Sequence, residues 1–153
     1  MASEKDLIRK FSEHYQKQEV DQLVNLFSEN ATYHDTFYGA FTGHAKIKEM
    51  FQMFFRDGKN YVWDMRKVVA EPGAAMAEFF FSFLTTDQRN PDKPVKMSGI
   101  ALFNFAGERI KEFYEYFDVG PVLLQMGLTP EAAVRHLQKR LEQGKSYTRP
   151  GEK

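Results

Sequence analysis

The chain has 153 residues, no cysteine, and equal numbers of acidic and basic side chains, 21 of each. Disulfides, thiol catalysis and cysteine-bound metals are therefore excluded, and the missing basic excess argues against a nucleic-acid-binding protein. Aromatic residues make up 15% of the chain, and this length predicts one domain with a large core.

Helical periodicity opens the chain. Ser3 and Asp6 form a capping box at the start of a first helix, in which Leu7 and Phe11 repeat at helical spacing. The segment DQLVNLF (21–27) predicts a short second helix.

A strand follows in ATYHDTFYG (31–39), where apolar and polar residues alternate. The alternation places Asp35 on the same face as Tyr33, among apolar neighbours. An ionised carboxylate is costly there unless other groups compensate for its burial. Asp35 is therefore a candidate functional residue, and its ordinary alternative is a structural carboxylate that accepts backbone hydrogen bonds at a strand end.

Gly39 and Gly43 bracket a predicted turn, and residues 44–57 carry apolar side chains at the spacing of an amphipathic helix. After Gly58 the period changes to two residues. Four strands are predicted from there, over 61–70, 74–86, 95–105 and 109–118.

The last predicted element is a helix with Thr129 as N-cap and Pro130 at its first position, running to about Gln143 and ending at Gly144. Residues 1–144 then form one domain, and residues 145–153 form a polar tail. Helices followed by antiparallel strands predict the α+β class.

The run from Phe79 to Leu84 does not alternate in hydrophobicity, and a strand that is apolar on both sides needs cover on both faces. The helices can cover one face of the sheet. A second subunit is predicted to cover the other, so the chain is expected to form a homodimer.

The N-terminus lacks a signal-peptide core, and no apolar run approaches the ~20 residues of a membrane helix. A cytoplasmic location without membrane contact is therefore expected. None of the four histidines has metal-ligand spacing, and neither a metal nor a cofactor is expected. His34 is predicted on the strand face opposite Asp35.

Three features together resemble one family. They are the strand ENATYHDTF after a first helix, the segment Gly43–Ile47 that opens the third helix, and the terminal hairpin GERIKEFYEYFD. In order and separation they resemble the nuclear transport factor 2-like superfamily, in its SnoaL-like and ketosteroid-isomerase-like branch. That resemblance implies a cone-shaped fold, with N-terminal helices packed on a curved antiparallel sheet around one deep apolar pocket. The C-terminal helix is an addition to this fold.

The resemblance also implies a site. A carboxylate at the position of Asp35 is the general base of ketosteroid isomerases, and a second acid recurs in related cyclases and epoxide hydrolases five residues after a position matched here by Ile110. That second acid is Glu115, although Glu112, Glu115 and Asp118 could instead form a solvated acidic rim. The residues expected to contact a hydrophobic ligand are Phe11, Tyr15, Tyr33, Phe54, Trp63, Met97 and Phe113.

Two departures from the family pattern restrict the activity. The tyrosine of the ketosteroid isomerase oxyanion hole corresponds to Phe11, and its protonated aspartate corresponds to one of residues 99–101, none of which can donate from a side chain. Each lost donor costs roughly 2.7–4 kcal/mol, so steroid isomerisation is rejected. The Arg-x-Asp of limonene-epoxide-hydrolase-like enzymes is missing too, because the corresponding strand carries only Glu78.

The sequence therefore predicts an isomerase, cyclase or lyase that acts on a hydrophobic carbonyl compound through Asp35 and Glu115. Two alternatives stay open. One is a binding protein or dimerisation module with an apolar ligand in the same pocket, and the other is an epoxide-hydrolase-like enzyme.

Overall fold

The computed structural model describes residues 2–143 and shows that part of the chain as helices packed on one curved, open sheet. The helices are α1 (Glu4–Gln16), α2 (Val20–Asn25), α3 (His44–Asp57), α4 (Val119–Gln125) and α5 (Pro130–Glu142). The strands are β1 (Phe27–Asp35), β2 (Gly39–Thr42), β3 (Gly58–Glu71), β4 (Ala74–Thr85), β5 (Pro94–Ala106) and β6 (Arg109–Phe117). The predicted α+β class is confirmed.

The strand order is β2-β1-β6-β5-β4-β3. Every neighbouring pair is antiparallel except β1 and β6, which run parallel. This parallel pair brings the end of β1, with Asp35, beside the end of β6, with Glu115. Two register shifts in β3 lie at Asn60 and Lys67, which have φ angles of 53° and 46°, and such bulges bend a sheet.

Local signals explain the main helices. Ser3 Oγ accepts a hydrogen bond from the Asp6 amide at 3.2 Å while the Asp6 carboxylate accepts from the Ser3 amide, as the predicted capping box requires. At the other end of the chain, Thr129 Oγ1 accepts from the Ala132 amide and Pro130 occupies the first turn of α5.

Two predicted boundaries are wrong. Residues 39–42 form strand β2 rather than a turn, because a hairpin after Asp35 pairs Tyr33 with Phe41. The second helix ends at Asn25, and Phe27 already belongs to β1, where its fully buried side chain joins the core.

Within the single chain the Phe79–Leu84 run has a buried face and an outward face, and the second subunit predicted to cover the outward face stays a prediction. The side chains of Phe79 and Phe81 are buried, whereas Phe80 between them is 37% exposed on the outer face of the sheet. The run therefore alternates like an ordinary strand. Three consecutive phenylalanines hide this alternation in the sequence.

The core lies between the inner face of the sheet and helices α1–α3. Its centre is Phe11, fully buried, whose ring packs within 5.0 Å of Trp63 and within 5.4 Å of Phe113 between ring centroids. β5 and β6 approach closely at Gly99, where a Cβ would lie 2.0 Å from the carbonyl oxygen of Tyr116. The predicted helix end at Gly144 and the tail 145–153 lie outside the described residues.

Among residues 2–143, no helix combines the length and the apolar composition needed to cross a membrane.

Candidate functional site

A cavity of about 540 Å³ lies between the inner face of the sheet and helices α1, α3 and α4. Half of the residues on its wall are aromatic. The aromatic residues that the sheet strands contribute are Tyr33, Tyr61, Trp63, Phe79, Phe81, Phe83 and Phe117. An apolar cavity with a few polar groups is the usual form of a small-molecule site.

Asp35 lies on this wall at the last position of β1. Its Oδ1 accepts hydrogen bonds from the backbone amides of Phe37 and Tyr38, each at 2.8 Å. The carboxylate therefore lies at the cavity wall and also accepts the backbone hydrogen bonds at a strand end that the structural alternative describes.

Glu115 lies on the same wall, from the neighbouring strand β6. Phe113 and Phe117 share its face of the strand, and β6 keeps its register with β5 here, with Glu115 opposite Ala101. The hydroxyl of Thr36 donates to the backbone carbonyl of Glu115 at 3.1 Å, which joins the residue after Asp35 to β6.

The carboxyl groups of Asp35 and Glu115 lie close enough to affect each other's ionisation. Two carboxylates this close repel each other, which favours a state in which one of them holds a proton. Burial raises the pKa of Glu115 well above its ordinary value, and the charge of Asp35 raises it further. Burial also raises the pKa of Asp35, but the amides of Tyr38 and Phe37 oppose this rise. Of the two groups, Glu115 therefore has the higher pKa and holds a proton more tightly than Asp35 does.

Two tyrosines add donors to this end of the cavity. Tyr15 from α1 and Tyr33 from β1 both line the wall, and burial raises the pKa of each well above its ordinary value, so both hydroxyls stay protonated. The nearby carboxyl groups of Glu115 and Asp35 raise both of these pKa values further. A carbonyl oxygen bound here would meet O–H donors, although Phe11 offers none.

Most of the site residues predicted from the sequence lie together on the cavity wall. Those on the wall are Asp35, Glu115, Tyr15, Tyr33, Phe54, Trp63 and Met97. Phe11 and Phe113 do not line it and pack in the core behind it, both fully buried.

Sequence reasoning missed Arg140, whose side chain is only 8% exposed. It donates from Nη1 to the backbone carbonyl of Thr36, and its positive charge acts on Asp35. The only signal in the sequence is its spacing of seven residues from Ala133, which puts both on one face of α5. Nothing local indicates that this face packs inward.

His34 lies on the outer face of the sheet, as predicted, and its ring stacks on Tyr114 with 4.0 Å between centroids. Within residues 2–143 no group of three or more potential metal ligands is close enough to hold an ion.

Solved structures with the same fold are similar to this chain at low sequence identity. A hypothetical protein with a ketosteroid isomerase-like fold from Catenulispora acidiphila, in complex with trimethylamine, has a TM-score of 0.74 and 18% identity over 84% of this chain and 98% of its own. A SnoaL-like polyketide cyclase from Agrobacterium tumefaciens has a TM-score of 0.67 and 17% identity, covering 83% of this chain and 100% of its own. An LEH-like epoxide hydrolase from M. tuberculosis has a TM-score of 0.65 and 13% identity, covering 90% of this chain and 93% of its own.

These identities establish the fold alone. No curated protein matches the chain in sequence. The profile of the SnoaL-like domain matches residues 8–113, which is more than half of the chain.

Proposed function

The chain belongs to the SnoaL-like domain family, and we propose that it is an isomerase or cyclase that moves protons on a hydrophobic carbonyl compound. The observation that carries the proposal is the pair of interacting carboxyl groups, Asp35 and Glu115, on the wall of an aromatic cavity. The SnoaL-like polyketide cyclase among the similar structures supports the reaction class.

Asp35 is the proposed general base. Its carboxylate takes a proton from the carbon next to the substrate carbonyl, and Glu115 gives its own proton to the carbonyl oxygen. The product of this step is an enol, and the pair still holds one proton, now on Asp35. Return of a proton at another carbon completes an isomerisation, and attack of the enol carbon on a second carbonyl completes a cyclisation.

The burial of the pair suits this chemistry. Asp has an ordinary pKa of ~3.9 and is too weak a base for most carbon acids at neutral pH. Burial raises the pKa of Asp35, and a general base works best with a pKa near the working pH. Phe11 cannot donate a hydrogen bond to the carbonyl oxygen of a substrate. Glu115, as a neutral acid, and the hydroxyls of Tyr15 and Tyr33 take over this role.

The test is deuterium exchange into the α-carbons of a set of hydrophobic ketones in D₂O, measured by mass spectrometry. We expect the wild type to catalyse exchange for at least one ketone. Asp35→Asn keeps the shape but removes the base, so it should lose about 10²- to 10⁴-fold in rate. Glu112→Gln is the matched control. Glu112 lies on β6, the strand of Glu115, but it accepts a hydrogen bond from Asn104 rather than facing Asp35. Equal rates in Asp35→Asn and the control would refute the proposal.

A second candidate is a binding protein that holds an apolar ligand in the same cavity. The aromatic wall favours it, and the protein from Catenulispora acidiphila is an example of this fold in complex with a small molecule. Native mass spectrometry of the purified protein separates the two candidates. A bound ligand that the wild type never turns over, and that Asp35→Asn still binds, supports the binding protein.

Epoxide hydrolysis is the third candidate, suggested by the LEH-like structure. The position that would carry part of the Arg-x-Asp relay is Glu78, whose side chain is exposed and pairs with Lys67 at 3.1 Å. Asp35 and Glu115 would then have to activate water without an arginine. Hydrolysis of styrene oxide by the wild type, absent in Asp35→Asn, would favour this candidate.

We also propose that the outer face of the sheet pairs with a second copy of the chain. Ile100 and Tyr116 are opposite each other on β5 and β6 and are 42% and 58% exposed, while Phe80 is 37% exposed on β4. Large apolar side chains exposed on one face of a sheet are a common feature of protein contact surfaces. Sedimentation at micromolar concentration should give twice 17.8 kDa for the wild type and one chain for Ile100→Glu. Val134→Glu, on an exposed position of α5, should stay a dimer, and a monomeric wild type would end the idea.

A further inference from the structure

The C-terminal helix α5 brings a positive charge to the carboxyl pair. Arg140 is one of only two buried residues of this helix, with Ala133. Guanidinium groups are rarely buried without a partner, because desolvation is costly unless hydrogen bonds or an opposite charge compensate. α5 lies after residue 113, where the match to the SnoaL-like domain ends.

The hydrogen bond of Arg140 connects α5 to the turn that follows β1. Its Nη1 donates to the carbonyl of Thr36, and the Thr36 hydroxyl donates to the carbonyl of Glu115. The next two residues, Phe37 and Tyr38, donate their backbone amides to Asp35. One four-residue turn therefore connects Arg140 to both members of the pair.

We propose that Arg140 is a positioning residue, which fixes the turn at residues 35–38 and supplies the counter-charge of the Asp35–Glu115 pair. In this proposal the charge of Arg140 keeps Asp35 ionised while Glu115 stays neutral. The use of Asp35 as a base rests on the proposed function, but the effect of Arg140 on the charge of the pair does not.

Of the side chains around Asp35, Arg140 is the one whose charge adds to the effect of the Phe37 and Tyr38 amides in favouring the ionised form. The titratable groups that face Asp35 or its turn are Glu115 from β6, Tyr33 from β1, Tyr15 from α1, Tyr38 from the turn itself, and Arg140 and His136 from α5. Four of them are acids, so they are neutral or negative and do not favour an ionised Asp35 by their charge. His136 contacts the ring of Phe37 rather than the carboxylate, with 6.2 Å between ring centroids. Arg140 is the permanent cation of the set.

The test measures the charge of the pair directly. Carboxyl carbons of Asp35 and Glu115 are titrated by NMR in the full-length wild type, in Arg140→Met and in Lys139→Met. The control removes the same charge from the adjacent, exposed position of α5. We expect Arg140→Met to shift the Asp35 midpoint upward by about 1 pH unit, at the lower end of the ~1–3 units that an adjacent guanidinium produces. Lys139→Met should leave it in place.

Equal Asp35 midpoints in the two variants would overturn the proposal and leave Arg140 as a packing residue of α5. Arg140→Lys gives a second reading in case the methionine variant does not fold. It keeps a positive charge, so we expect an Asp35 midpoint close to that of the wild type, and a midpoint raised by 1 unit or more would contradict the proposed counter-charge. The titration uses no substrate, so failure of the ketone exchange would leave this result standing, and the reverse holds too.

Discussion

Replacing Glu115 with glutamine is expected to flatten the pH dependence of folding stability. Glutamine has almost the same shape, and its amide can still donate a hydrogen bond to Asp35. The substitution therefore removes the titration of Glu115 while keeping the contact that the neutral acid makes in the folded protein.

The direction in which stability changes with pH follows from proton binding. Burial and the charge of Asp35 raise the pKa of Glu115 in the folded protein well above the ordinary value of 4.5, which applies in the unfolded chain. Between these two values the folded protein holds a proton that the unfolded chain has lost. The free energy of unfolding therefore falls as pH rises through that window, by up to about 1.4 kcal/mol per pH unit for one proton. Below the unfolded value, Glu115 contributes no slope.

Urea unfolding followed by fluorescence measures this slope. Trp63 is the single tryptophan of the chain and lies on the cavity wall, so its emission reports the loss of the site. Unfolding free energies of wild type, Glu115→Gln and the control Glu112→Gln are compared from about pH 5 to pH 9. The stability of Glu115→Gln should gain on that of the other two proteins as pH rises. If the three curves run parallel, Glu115 is not a proton-holding buried acid, and its role as the acid of the pair fails.

Two further predictions concern packing. Gly99→Ala should lower the unfolding free energy by about 1–3 kcal/mol, since its Cβ would lie 2.0 Å from the Tyr116 carbonyl oxygen. The control in the same urea assay is Gly120→Ala, whose Cβ would lie 3.7 Å from its nearest neighbour. Equal losses in the two variants would show that β5 and β6 can separate. Phe11→Tyr should cost about 1–3 kcal/mol and add no ketone exchange, because its new hydroxyl would lie among the core rings behind the cavity. A stable, faster variant would show that position 11 reaches the substrate.

Elements with strong local signals could be predicted from the sequence. The bounds of α3 follow from its apolar spacing, and the start of α5 follows from Thr129 and Pro130. Strand β2 was not predictable in this way, because it has only four residues and begins at Gly39, and a glycine equally favours a turn. The outward direction of Phe80 was not predictable for a different reason. In three consecutive phenylalanines, hydrophobicity does not distinguish the two faces of the strand.

The candidate site was predictable only in part. Alternation placed Asp35 on the buried face of its strand, and the family resemblance implied Glu115, so both could be named. The different proton affinities of the two groups depend in part on the backbone amides that only the folded turn presents to Asp35. Arg140 was not predictable because its neighbours are Thr36 and Asp35, more than a hundred positions earlier, and no local pattern encodes such a contact.

The parallel pairing of β1 with β6 has a consequence for folding kinetics. Strands β3 to β6 and the hairpin β1–β2 pair with near neighbours in sequence, whereas the Thr36–Glu115 hydrogen bond joins residues 79 positions apart. A contact that closes a long loop costs more entropy than a local contact does, so we expect the local strand pairs to form the transition state and β1 to join β6 after it. The proton on Glu115 should then leave the refolding rate unchanged and alter the unfolding rate, which would rise with pH as the folded protein loses stability.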